Sequence, residues 1–283
     1  MNGILIVNKS EGITSQGVVS KVKKVLNVKK AGHTGTLDPL ATGVLPVLIG
    51  NCTKLSKYLI EHNKTYRAVI KLGEKSSTGD REGEIIEVKN IPENLDENRI
   101  NKALNGFLGK QIQIPPIYSA IKIKGKKLYE YAREGKEIEI PKRQIEIYSI
   151  KLVNFEKQEN TIEFEVSCSK GTYIRTLCED IAEALGTVGY MKSLNRIKVD
   201  KFKIEESFTL EEIEKGKYSL IGMEELFQES PQINLNARKL ELFLNGVNLT
   251  FEVEDGIYNI YSNNKYIGLG IVKDRLLKRD VVI

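Results

Sequence analysis

Gly32-His33-Thr34-Gly35-Thr36-Leu37-Asp38-Pro39-Leu40-Ala41-Thr42-Gly43-Val44-Leu45-Pro46 is the stretch on which the reading of this 283-residue chain turns. Three glycines, two prolines and three threonines suit neither a stable helix nor a central strand, because Gly adopts φ > 0 freely and Pro fixes φ while removing a donor. The segment therefore reads as an ordered, irregular loop, entered from Lys29-Lys30 and left through the apolar run Val44 to Ile49. Pro39 biases Asp38 towards an extended conformation. Asp38 is the only carboxylate between Glu11 and Glu61. Two readings stand at this point. Either Asp38 caps a helix and the glycines close bends, or Asp38 and His33, five residues apart, are held on a rigid loop for chemistry.

Composition narrows the class. Hydrophobic content of 41% and charged content of 29% suit a globular protein, and the length suits one large domain and a small one. No apolar run approaches the ~20 residues of a membrane span. Cys52, Cys168 and Cys178 are odd in number and far apart, and with only His33 and His62 they form no metal pattern. The expectation is a reduced, cytoplasmic, metal-free protein without a membrane segment or signal peptide. Net charge is +5, unevenly spread: ten Lys/Arg against five Asp/Glu from Lys110 to Lys151, but four against eight from Lys201 to Ser230. A local basic surface suits a phosphate backbone, and equally a solvated lysine-rich face.

Working outward, Gly3 to Val7 reads as a strand ending at the turn Asn8 to Gly12. Thr14 or Ser15 can cap a helix with Val18, Val19, Val22, Val25 and Leu26 on one face. Cys52 to Ile60 reads as a helix, and Tyr66, Ala68, Ile70 and Leu72 share one strand face by alternation. Asp80 falls in a turn, Ser76 to Gly83. Leu95 to Leu108 reads as a helix closed by Gly109. Gln113-Ile114-Pro115-Pro116-Ile117-Tyr118-Ser119-Ala120-Ile121-Lys122 precedes a basic stretch with interleaved tyrosines, Lys122 to Arg133. Ile145 to Phe155 and Thr161 to Ser169 return to strand alternation. Ser169-Lys170-Gly171-Thr172-Tyr173-Ile174-Arg175 then turns into a helix with Leu177, Ile181 and Leu185 inward and Gly186 as its stop. An Arg at a helix start opposes the macrodipole, so Arg175 should face something acidic. Residues 201–230 read as an acidic helical connection with a capping box at Thr209 and Glu212, and strands from Gly256 onward surround an Asn263-Asn264 turn.

The opening string matches G-H-x-G-T-L-D-P-x-A-x-G-x-L, and with Q-x-P-P-x-Y-S-A-x-K and K-G-x-Y-I-R it resembles the TruB-type tRNA pseudouridine synthases. The resemblance is close over roughly residues 3–200 and loose beyond. It implies an α+β fold: a mixed, largely antiparallel central sheet flanked by helices, with a small C-terminal PUA-like β domain. Residues 1–230 would form the catalytic domain, with an RNA-contacting thumb at about 110–145, and residues 231–283 the RNA-binding module. The implied reaction converts uridine to pseudouridine at position 55 in the T loop of tRNA, without a cofactor. Asp38 would act at the ribose, Tyr66 stack on the base, and Arg175 pair with Asp38. His33, Tyr173, Leu194, Lys9 and Lys122 would contact RNA. Ser10 stands where the family has Pro, and Asn195 and Asp200 were the expected places of an Arg and a Gly. A monomer that takes the tRNA T stem-loop as partner is expected. The competing reading is a non-catalytic tRNA-binding or RNA-folding protein on the same scaffold.

Overall fold

The computed structural model describes residues 1–60, 62–119, 121–123, 125–136 and 138–283. Its framework is built from runs that bury themselves on two faces and runs that alternate. Gly3–Lys9 (β1) and Thr42–Ile49 (β3) are nearly continuous apolar stretches and are buried along almost their whole length. Between them Ala31–His33 forms a short strand (β2), paired to the far half of β3. Lys64–Leu72 (β4) and Thr161–Cys168 (β7) alternate, with Ala68, Ile70, Leu72, Ile162, Phe164 and Val166 inward. The remaining strands are Gly109–Gln113 (β5), Arg143–Glu156 (β6) and Gly189–Val199 (β8).

Among the described residues these build a nine-stranded sheet whose main order is β1-β3-β8-β4-β7-β6-β5. Every neighbouring pair on that path is antiparallel except β3 with β8, where Asn195 and Arg196 lie beside Thr42 and Gly43. The sheet is mixed and largely antiparallel, as expected. Helices Ser15–Val25 (α1), Glu97–Asn105 (α2) and Ile174–Ala184 (α3) press their apolar stripes on it: Val18, Val19 and Val22 against β1 and β3, Ile100 and Leu104 against β6, and Leu177 and Ile181 against β8 and β4. Each full Leu or Ile burial of this kind is worth roughly 1.5–3 kcal/mol. The free edge of β1 is covered by bridges from Ile221 and Phe208.

Several elements differ from the sequence reading. The irregular loop contracts to residues 34–41, because β2 and β3 extend into both its ends. Pro46 sits inside β3, where its carbonyl still accepts from the Thr34 N–H at 3.3 Å. Helix α2 stops at Gly106, three residues before the expected Gly109. Strand β8 went unread although it is central, since two bulges, at Met191/Ser193 and Arg196/Lys198, break its alternation. The insertion begins after Gln113 and ends before Arg143, because residues 109–113 pair with residues 143–147 inside the sheet.

From residue 231 a second, five-stranded sheet forms, with Gly256–Ser262, Lys265–Lys273 and Leu276–Val282 at its centre. Asn263 and Asn264 both take positive φ, 48° and 60°, at its hairpin turn. This unit is not a free appendage. Leu269 and Val281 share one core with Ile4, Val44, Leu48, Leu55 and Leu59 of the larger unit. The boundary at 230 is a packed seam.

Candidate active site

The loop bearing Asp38 is fixed from both sides by buried cations. Lys9, at the end of β1, has no exposed surface, and its ammonium donates to the carbonyls of Ser10, Pro39 and Ala41, the first two at 3.0 Å. Burial pulls its pKa from 10.5 down to about 8, with Asp38 opposing and Arg196 adding to the shift. The RNA contact expected of Lys9 is therefore corrected: a side chain spent on three main-chain acceptors does not reach solvent. Ser15 secures the same loop, its hydroxyl donating to the Leu37 carbonyl at 3.0 Å and accepting from the Leu37 N–H at 2.8 Å. The Gly12 N–H reaches the Pro39 carbonyl at 2.9 Å, so the turn lacking the family proline is pinned from the other side.

Arg196, on β8, is the second cation. It is 1% exposed and donates from Nε to the Val44 carbonyl at 2.8 Å, and from its terminal nitrogens to the carbonyls of Gly35 and Thr36 at 3.2 and 3.5 Å. The sequence reading missed it by expecting the family arginine one place earlier. Leu194-Asn195-Arg196 itself spells L-x-R, and the strand register turns position 196 inward.

Arg175 leaves the first turn of α3 towards the loop. Its terminal nitrogens lie 3.2 Å from an Asp38 carboxylate oxygen and 3.5 Å from one of Asp80, and also donate to the carbonyls of Tyr118 and Thr78 at 2.7 and 3.3 Å. The arginine side chain is 7% exposed and that of Asp38 39%, so the cation is buried while the acid faces the opening. Asp80 is more than a turn residue. It is buried, accepts from the Thr78 hydroxyl at 2.6 Å, and holds the second fork of Arg175. The entry to α3 is held by Gln113, which exchanges two bonds with the Tyr173 backbone, at 2.8 and 3.0 Å.

These groups line one open cavity of about 760 Å³. Asp38, Tyr66, Tyr173, Arg175, Leu194 and Arg196 all contribute to its wall. That volume suits a nucleoside-sized ligand. Tyr66 stands directly across from Arg196 in the β4–β8 pairing, and burial raises its phenol while the neighbouring guanidinium opposes the rise. Burial likewise raises Tyr173. His33 ends β2 beside the cavity-lining Thr34 without lining the cavity itself, and burial lowers its pKa. The side chain of Lys122 lies outside the described ones.

In the solved Cbf5-Nop10-Gar1 complex a chain 24% identical superposes with a TM-score of 0.69, covering 99% of this chain and 83% of that one, which is a likeness of fold. The model described as TruB family pseudouridylate synthase (N terminal domain) matches residues 23–174, and that of the tRNA pseudouridylate synthase B C-terminal domain residues 175–229. The tRNA pseudouridine synthase B of Caldanaerobacter subterraneus subsp. tengcongensis is 41% identical over 281 residues, 98% of each chain. That of Aquifex aeolicus is 39% identical over 282 residues, again 98% of each. The chain belongs to the TruB family of pseudouridylate synthases.

Proposed function

We propose that this enzyme isomerises uridine to pseudouridine at position 55 in the T loop of tRNA. The observation that carries this reading is the half-exposed Asp38 carboxylate, held by buried Arg175 in a cavity that also presents Tyr66. Convergence of these three side chains favours catalysis over a purely binding role. In the isomerisation the C1′–N1 bond breaks, the uracil turns, and a C1′–C5 bond forms. The proton on C5 leaves and N1 gains one, so no oxidant or group donor enters the balance. The target base leaves the loop's stack, at a cost of a few kcal/mol. Asp38 acts at the ribose, as nucleophile at C1′ or as a base. Tyr66 stacks on the extruded uracil, Leu194 and Tyr173 bound its slot, and His33 fills the space it vacates. Arg175, its fork divided between Asp38 and Asp80, fixes the direction of Asp38 as a single ammonium could not. The C-terminal sheet serves as a PUA-like RNA-binding unit, and the protein acts as a monomer.

The test is incubation with a T-arm hairpin followed by pseudouridine mapping. Conversion at the position equivalent to 55, and nowhere else in the hairpin, is the expected result. An unmodified hairpin after exhaustive incubation with folded protein would overturn the reading.

A further inference from the structure

Arg196 presents a physical anomaly. It is among the largest fully buried side chains, yet no carboxylate lies within ion-pairing distance of it among the described residues. A buried charge without a counter-charge is costly, and an apolar side chain of similar size is often the more stable choice. What the guanidinium has in place of an anion is geometry. Three of its nitrogens take the carbonyls of Gly35 and Thr36 on the way into the loop, and of Val44 on the way out. Across the β4–β8 pairing it lies opposite Tyr66, and its charge favours the ionised form of that phenol. On its other side, β8 runs parallel to β3 with Arg196 beside Gly43. A Cβ on Gly43 would come within 2.3 Å of the Arg196 carbonyl, and its φ is +103°. The loop exit can approach β8 this closely only with glycine there.

We propose that Arg196 is a positioning residue of the reaction, closing residues 35–44 into a ring and holding that ring in fixed register with Tyr66. The two side chains that must meet the ribose and the base come from different elements, with β8 between them. Asp38 rides on the loop and Tyr66 on β4; the planar fork of Arg196 is bonded to the loop, and its residue is paired in register with Tyr66. Lysine could supply the charge at this place, but its three donors share one nitrogen and could not span these separated acceptors. The inference rests on the site reading given under Proposed function.

The test uses the full chain with Arg196→Lys, Tyr66→Phe and the double variant. Single-turnover rate on the T-arm hairpin, hairpin affinity and thermal midpoint are measured for each. Arg196→Lys should slow the single-turnover rate by roughly a hundredfold, as expected for misplacement of reacting groups by about an ångström. Hairpin affinity should stay within about twofold, since docking is untouched. In the Tyr66→Phe background, where the phenol opposite Arg196 is gone, the same substitution should cost much less, the non-additivity of coupled residues. A parental rate for Arg196→Lys, or strictly additive losses, overturns the proposal. Should the lysine variant not fold, Arg196→Gln is read in the same way; if neither folds, Arg196 is scaffold only and the proposal is overturned. Asp38→Asn runs alongside. If it remains active, the site reading itself fails; if it is inert while Arg196→Lys is parental, only this inference fails.

Discussion

Two carboxylates in this protein each join segments distant in sequence, and they do so in opposite senses. At the cavity Asp38 is 39% exposed and its partner Arg175 only 7%. At the seam between the two sheets Asp280 is 9% exposed and its partner Lys57 50%, with the Tyr58 hydroxyl donating to the same carboxylate at 2.5 Å. Burying the cation leaves the acid facing the opening, aimed and available to a substrate. Burying the acid leaves nothing to react, and the pair becomes a latch. On the proposed reading, the same contact, an acid on a base, serves chemistry or assembly according to which partner the fold hides. Their surroundings agree. The cavity pair extends to Asp80 and two backbone carbonyls, whereas the seam pair sits above Leu269 and Val281 in a shared apolar core.

The sharpest way to break this contrast is Asp38→Asn. Loss of single-turnover activity on the order of 10⁴-fold or more is expected, with hairpin affinity within about twofold, because on the proposed reading the group acts in the transition state and not in docking. Retention of substantial activity would place the reacting acid elsewhere.

A smaller effect should come from the support beneath the loop. Lys9 gives up its proton near pH 8, and a neutral amine has two donors for three carbonyls. The rate should therefore decline above about pH 8. The unfolded chain keeps this proton up to its ordinary value, so this group's share of stability rises, not falls, between about pH 8 and 10.5. Activity loss without loss of stability is the expected signature. Lys9→Met should be slower by up to about a hundredfold and lack the decline. A parental rate and pH profile in Lys9→Met would remove the loop clamp from the mechanism.

The smallest effect belongs to the latch. Asp280→Asn should lower the thermal midpoint by ~2–4 °C, for a loss of about 1 kcal/mol, and leave the rate on the hairpin unchanged. A large fall in rate would mean that the seam is coupled to the cavity, and that the two carboxylates differ less than their burial suggests.

Much of this was legible in the chain itself. Alternation found β4 and β7, three-and-four spacing found α1 and α3, and the Asn-Asn pair marked the C-terminal hairpin. Such signals are local, since a strand or helix writes its buried face into its own residues. Strand β8 was not legible because bulges cancel its period, though it lies at the centre of the sheet. Lys9 reads as a surface lysine until β1 carries it under the loop, and Asp80 as a turn residue until α3 brings Arg175 beside it.

By itself, then, the sequence determined most of the elements and picked out the string around Asp38, since glycine, proline and a lone aspartate narrow the conformational choice between Gly32 and Pro46. What only the tertiary structure decided was which charges are hidden. Burial is a property of the assembled sheet, set by what packs over a side chain, so it decided that Asp38 is offered while Lys9, Arg175 and Arg196 are kept inside to hold it.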